Sequence, residues 1–370
     1  MIEYPVVRIQ QLTEFAFIPA EYRFVLVSLH SQIMAIKNKS RNIRSEVLRS
    51  PSLYCKEFEA TEKISDKKPR LLSGTRIKAV LVPLMYWVIK HAPRWCAMLP
   101  IHMLIVTLRL MYVFSGNPYR KSCEHICRLA RDAGFTHQPR EIYGQLLNNL
   151  LGTAENYYDL YRHGIDSVID IIELNYQYSE RINRLAKEHG GVMLMVPHNF
   201  ASLFSALKMN RAFPLLIVTR NSSTIDRTKI ALEFFERMQV SVLMVRGGNP
   251  FELSRTLFAE LKKGTVVAAT VDSIEGNSQT TVHMFGQEVG FSSWAGKVGV
   301  KKNVPIIPGY FRSKGRQVVP VYGEEIITDD IESAMQHYAE FFERQILEDP
   351  ASWAYLADKR WRKVLHKACE

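Results

Sequence analysis

In GGVMLMVPHN, Gly190 to Asn199, two glycines lead into five consecutive apolar residues that end in a Pro-His-Asn turn. A strand with no polar alternation is buried on both faces, as in a parallel sheet covered by helices. Runs of the same kind recur at Pro214–Val218, Val240–Val245, Gly264–Val271, Val304–Phe311 and Gln317–Tyr322. Helical stretches separate most of them: Ala201–Asn210, Thr224–Met238, Pro250–Lys263 and Ser292–Lys302. This alternation predicts an α/β fold with a largely parallel sheet flanked by helices. The tail, Ile331–Lys367, returns to helix.

Upstream, Asn117–Lys187 carries apolar residues at three- and four-residue spacing, a helical lead-in. Before it come two apolar stretches, Ala79–Ile89 and Trp95–Leu108. Each falls short of the ~20 uninterrupted residues a spanning helix needs, with Pro83, Lys90, Arg94, Pro100 and His102 as interruptions. Flanked by Trp87, Trp95, Lys90, Arg94 and Arg109, they suit a monotopic element in the headgroup region, a buried helix pair being the alternative. Residues 1–70 hold two modest apolar patches and a basic, serine-rich run, Lys37–Arg49. The expected organisation is a helical extension and linker over 1–70, membrane-associating helices and the lead-in over 71–189, and an α/β core with carboxy-terminal helices over 190–370.

The 370 residues are 47% apolar and 23% charged, which excludes a disordered binder or a disulfide-stapled peptide. A net charge of +11 implies attraction to polyanions: anionic lipid, an acidic protein or nucleic acid. Five cysteines without C-x-x-C spacing start no disulfide framework and fit a reducing compartment. Met1–Gln11 lacks the pattern of a secretory signal, so no leader is expected.

Four strand ends carry side chains able to do chemistry. Pro197-His198-Asn199 follows the first strand, Arg220-Asn221 the second, Arg246-Gly247-Gly248-Asn249 the third and Asp272 the fourth. Open α/β sheets bind ligands at this edge. A histidine there can act as a general base if a second group fixes its tautomer. Arginines and glycine-exposed amides suit phosphate or a developing oxyanion. Cys123-Glu124-His125-Ile126-Cys127 has no distant second pair to complete four metal ligands, so it reads as packing and no metal site is expected. Tyr157, Tyr158 and Tyr161 with Arg162 read as core or interface, and no nucleic-acid partner is expected. The motifs G-x-S-x-G, P-loop and G-x-G-x-x-G do not occur.

The order of these features resembles the lipid A late acyltransferases, within the lysophospholipid acyltransferase superfamily. The matching segments are Val196-Pro197-His198, Val218-Thr219-Arg220, Gly264–Asp272, Met284-Phe285-Gly286 with Ser292-Ser293, Val304–Pro308, and Trp353 with Lys359-Arg360-Trp361. Together they cover roughly residues 75–362. The resemblance implies transfer of an acyl group from an acyl carrier protein or coenzyme A thioester to a hydroxyl or amine acceptor. The setting it implies is the lipid surface at the cytoplasmic face of the bacterial inner membrane. His198 would be the base, and Arg220, Asn221, Arg246 and Asn199 would contact substrate. A channel between helices and sheet would hold the acyl chain, and no cofactor beyond the thioester co-substrate is implied.

One position departs from the pattern. The family's histidine motif places Asp or Glu five positions after the histidine, and here that residue is Leu203. Leucine cannot stabilise an imidazolium, so Asp272, Glu275, Asp226 or the Ser202 hydroxyl must substitute. Otherwise the chain is a catalytically silent lipid- or carrier-binding relative. A third reading is recruitment to acylate or condense a carrier-bound specialised metabolite.

Overall fold

In the computed structural model the chain divides into two units, Met1–Tyr54 and Cys55–Glu370. The structure describes residues 53–55, 84–219, 231, 233–244, 250–274 and 280–370. The extension expected over residues 1–70 therefore lies outside the described residues, apart from a short strand, Leu53–Cys55. The second unit holds a helical lead-in followed by the α/β core.

The lead-in comprises a helix over residues 84–91, then α1 (Arg94–Met111), α2 (Pro118–Asp132), α3 (Pro139–His163) and α4 (Tyr176–His189). Local chemistry sets their ends. The Asn117 side chain accepts from the Tyr119 amide at 2.9 Å with Pro118 at the first helical position, and Asn175 caps α4 through the Gln177 amide at 2.8 Å. Gly190, in the left-handed conformation, closes α4. At Gly191 (φ +117°) a Cβ would sit 2.8 Å from the Leu261 carbonyl oxygen, so only glycine admits the chain into the first strand.

Helix α1 differs from the interrupted stretch read in the sequence, because it runs unbroken through Pro100 and His102. Proline forfeits one ladder bond, and side-chain ties to α3 hold the helix along its length. Arg94 Nη1 donates to Asp159 Oδ1 at 2.8 Å, Tyr143 Oη to the Leu108 carbonyl at 2.6 Å, and Arg109 Nη2 to Asn148 Oδ1 at 3.0 Å. Arg316 joins the same Asp159 at 2.6 Å. Met98 and Ile105 are buried, while Trp95, Leu99, Met103, Val106 and Leu110 form an exposed apolar stripe, Trp95 being 74% and Leu110 68% exposed. By length and composition α1 could cross a membrane.

The core strands are β1 (Val192–Val196), β2 (Leu215–Thr219), β3 (Ser241–Met244), β4 (Val266–Thr270), β7 (Ile306–Lys314) and β8 (Gln317–Tyr322). They lie in the order β3-β2-β4-β1-β7-β8, parallel except for the β7/β8 pair. The central β1 is buried at every position, as its unbroken apolar run requires. The helices α5 (Ser202–Ala212), α6 (Pro250–Leu261), α7 (Trp294–Lys302) and α8 (Ile331–Glu348) accompany them. The tail closes with a 3₁₀ turn, Pro350–Ser352, and α9 (Lys359–Lys367).

A second, two-stranded antiparallel sheet pairs β5 (Thr280–Met284) with β6 (Gln287–Phe291). In the sequence this segment stands out only for its Met284-Phe285-Gly286 motif. Its turn residues, Phe285 and Gly286, both have positive φ (52° and 69°), the two-residue geometry that matches the twist of a hairpin.

Candidate active site

The register of the sheet assembles the site. Val196 of β1 lies opposite Thr270 of β4, so two residues further along each strand His198 and Asp272 emerge side by side. The connections leave in opposite directions: β1 leads through α5 past β4 to β2, and β4 leads past β1 to β7. That divergence opens a crevice at the carboxyl edge of an α/β sheet.

Asp272 is fully buried. A buried carboxylate needs hydrogen-bond donors on its oxygens, and three converge here. The His198 backbone amide donates to Oδ2 at 3.0 Å, Trp353 Nε1 donates to Oδ2 at 3.1 Å, and His198 Nδ1 bonds Oδ1. Trp361 Nε1 donates to the Asp272 carbonyl at 2.9 Å, fixing the main chain as well. An imidazole paired with a carboxylate through Nδ1 keeps its proton there and its lone pair on Nε2, the state that can accept a proton. The His198 side chain is 31% exposed, open to an incoming group.

Tyr355 covers one face of the imidazole, the rings nearly parallel (16°) with centroids 4.2 Å apart. Burial, and then the Asp272 charge, push its phenol above the ordinary value, so it remains neutral. Neither this tyrosine nor the tryptophan-to-aspartate bonds are expected from the sequence. The only hint is the closeness of Tyr355 to Trp353, one of the resembling residues.

The other candidates separate. Asn199 is buried and its amide is occupied: Nδ2 donates to the Ser352 carbonyl at 3.1 Å and Oδ1 accepts from the Phe311 amide at 3.2 Å. Ser202 Oγ accepts from the Asn199 amide at 3.1 Å and donates to the Pro197 carbonyl at 3.3 Å, which closes the turn after β1. Arg220, Asn221, Arg246, Glu275 and Asp226 lie outside the described residues. Cys123 and Cys127 are buried in α2, where burial raises both thiols, Cys127 to about 11. Tyr157 stacks edge-on against Phe204, with ring centroids 4.6 Å apart, and Tyr158 is buried.

Behind His198 lies a cavity of about 260 Å³ between α5, α3 and the sheet. Leu203, Ala206, Met209, Leu194, Ile217 and Tyr157 are among its lining residues, giving it an apolar wall. Leu203, where the resemblance calls for a carboxylate, is thus part of that wall.

The family model of the bacterial lipid A biosynthesis acyltransferases matches residues 161–363. The match runs from the end of α3 into α9 and includes both His198 and Asp272. No match to a curated protein was found. With more than half of its length matched, the chain belongs to the bacterial lipid A biosynthesis acyltransferase family and is an acyltransferase.

Proposed function

We propose that this acyltransferase moves an acyl group from a carrier-protein or coenzyme A thioester to a hydroxyl or amine of a lipid or lipid-like acceptor, with His198 as general base. The observation that carries the reading is the bond from His198 Nδ1 to the buried Asp272 carboxylate at the edge of β1 and β4. The acceptor O–H or N–H gives its proton to Nε2 as the oxygen or nitrogen bonds the thioester carbonyl carbon. Asp272 then faces the imidazolium that forms, and the flat Tyr355 ring supports the same charge. When the tetrahedral intermediate collapses, the C–S bond breaks and the leaving thiolate takes the proton back from His198. Asp272 supplies, from the neighbouring strand, the carboxylate that position 203 lacks.

The apolar cavity would receive the acyl chain, with Leu203 contributing wall instead of charge. Arg220, Asn221 and Arg246 keep the substrate-binding role the family resemblance gives them, and Asn199 holds the histidine turn against β7 and the 3₁₀ turn. The exposed stripe of α1, flanked by Arg94 and Arg109, suits a peripheral or monotopic seat on an anionic lipid surface. That surface would be the cytoplasmic face of the inner membrane.

The test is incubation of the purified protein in liposomes with carrier-protein and coenzyme A thioesters, against lipid, amine and hydroxyl acceptors. Acyl products are followed by mass spectrometry. An acylated product that falls by about 10²–10⁴-fold in His198→Ala supports the reading. Equal turnover by the variant would sink His198 as the base, and product only on a non-lipid carrier-bound acceptor would move the enzyme to specialised metabolism.

A further inference from the structure

A row of basic residues lies on a helix fastened to this site. Helix α9 begins four residues after Tyr355, and its first turn is fastened to the strand end that carries Asp272. The Arg360 guanidinium donates to the Ile274 carbonyl, and Trp361 Nε1 to that of Asp272. Trp361 and Leu365 turn into the core. Lys359, Lys363 and Lys367, at successive four-residue steps, are left exposed in one row about 12 Å long.

Helix α2 packs against α9. The rings of His125 and His366 stack with centroids 5.2 Å apart, and Arg128 Nη1 donates to the Cys369 carbonyl at 3.0 Å. This partner helix brings its own exposed cations, Lys121, Arg128 and Arg131. Among the described residues, no carboxylate lies within ion-pair distance of Lys359, Lys363, Lys367 or Lys121.

Helix stability does not account for the row. Like charges four residues apart repel by roughly 0.2–0.5 kcal/mol per pair, and a lysine in the first turn opposes the helix dipole. Nor is the row built for entry into a bilayer, since the large apolar residues of α9 that could wedge between lipids, Trp361 and Leu365, are buried and Val364 is half-buried. A polar, cationic row of this length matches an acidic helix on another protein.

We infer that the α2–α9 surface docks an acidic carrier protein and so delivers its acyl thioester to His198. The inference rests on the thioester-donor reading and commits it to a protein-bound donor. Arg360 and Trp361 fasten the docking helix to the Asp272 strand end, so a carrier seated on the lysine row has its arm beside the crevice.

The test uses the full-length protein and a triple variant, Lys359→Glu, Lys363→Glu, Lys367→Glu, with a second triple to Gln that adds no repulsion. Binding of holo acyl carrier protein is measured at low and high salt. Turnover is compared between carrier-bound acyl thioester and the same acyl group on N-acetylcysteamine. The Glu triple is expected to lose at least about tenfold in carrier affinity and to raise KM for the carrier-bound donor. The Gln triple should shift the same way by less, with turnover of the small thioester unchanged in both. Wild-type affinity should also fall with salt. Carrier binding by either variant as tight as wild type overturns the proposal, as does loss of binding to phosphatidylglycerol vesicles with carrier binding intact. If wild type turns over neither thioester, the donor reading fails on its own, and the binding comparison still decides the docking surface.

Discussion

Asp272 illustrates how a side chain identified only by its place after a strand acquires a role through its partners. Three donors converge on its carboxylate, and one of them belongs to Trp353, a fully buried residue 81 positions away in the chain. Trp353→Phe removes Nε1 together with the pyrrole half of the indole, which should lower stability by at least about 1.5–3 kcal/mol in denaturant unfolding, the range for hydrogen bonds to charged groups, with the space left by the smaller ring adding to the loss. With the carboxylate less firmly held, kcat should fall while KM for the acceptor stays near wild type. An unchanged kcat would mean that the tryptophan packs without positioning the acid. The residue types at this site were legible: His198 and Asp272 both stood out at strand ends. The choice among Asp272, Glu275, Asp226 and Ser202 was not, because it depends on which strands are neighbours and in what register. Leu203, read in the sequence as a loss, belongs to the cavity wall, and the imidazole is already partnered from the other strand.

Individual elements followed local rules where those rules were strong. Unbroken apolar runs became buried parallel strands, and the asparagine caps and Gly190 bound their helices as composition suggests. Two elements escaped that logic. The β5–β6 hairpin alternates in burial at every position of β5, but its turn, Phe285-Gly286, lacks the usual asparagine or aspartate signal. Helix α1 continues through Pro100 because tertiary bonds to α3 outweigh one missing ladder bond. The α2–α9 pair carries a pH dependence of its own. Burial, then the neighbouring His366, Arg128 and Lys121, hold the His125 pKa below its ordinary 6.5, against the opposing pull of Glu124. A histidine that the fold keeps neutral contributes stability that is complete above that ordinary value and is lost as pH falls through the folded one. The unfolding midpoint should therefore drop on acidification below 6.5, and His125→Phe should flatten that slope; an equal slope in the variant would assign the acid loss elsewhere.

For the molecule as a whole, topology brings together what the chain keeps apart. Seventy-four positions separate His198 from Asp272, and the parallel pairing of β1 with β4 closes that gap at the point where their connections diverge. The tail then returns to supply Trp353, Tyr355 and Trp361 around the pair and to set its basic helix beside it. In the proposed reaction His198 and Asp272 act as one unit in acyl transfer. Groups that act as a unit are non-additive, so the decisive measurement is a double-mutant cycle on kcat for His198→Ala, Asp272→Asn and the pair. Asp272→Asn should cost up to about 10⁴-fold, as loss of the orienting carboxylate does in a serine protease triad, with the double variant no slower than the slower single. Losses that multiply, or an Asp272→Asn variant within a few-fold of wild type, would contradict it.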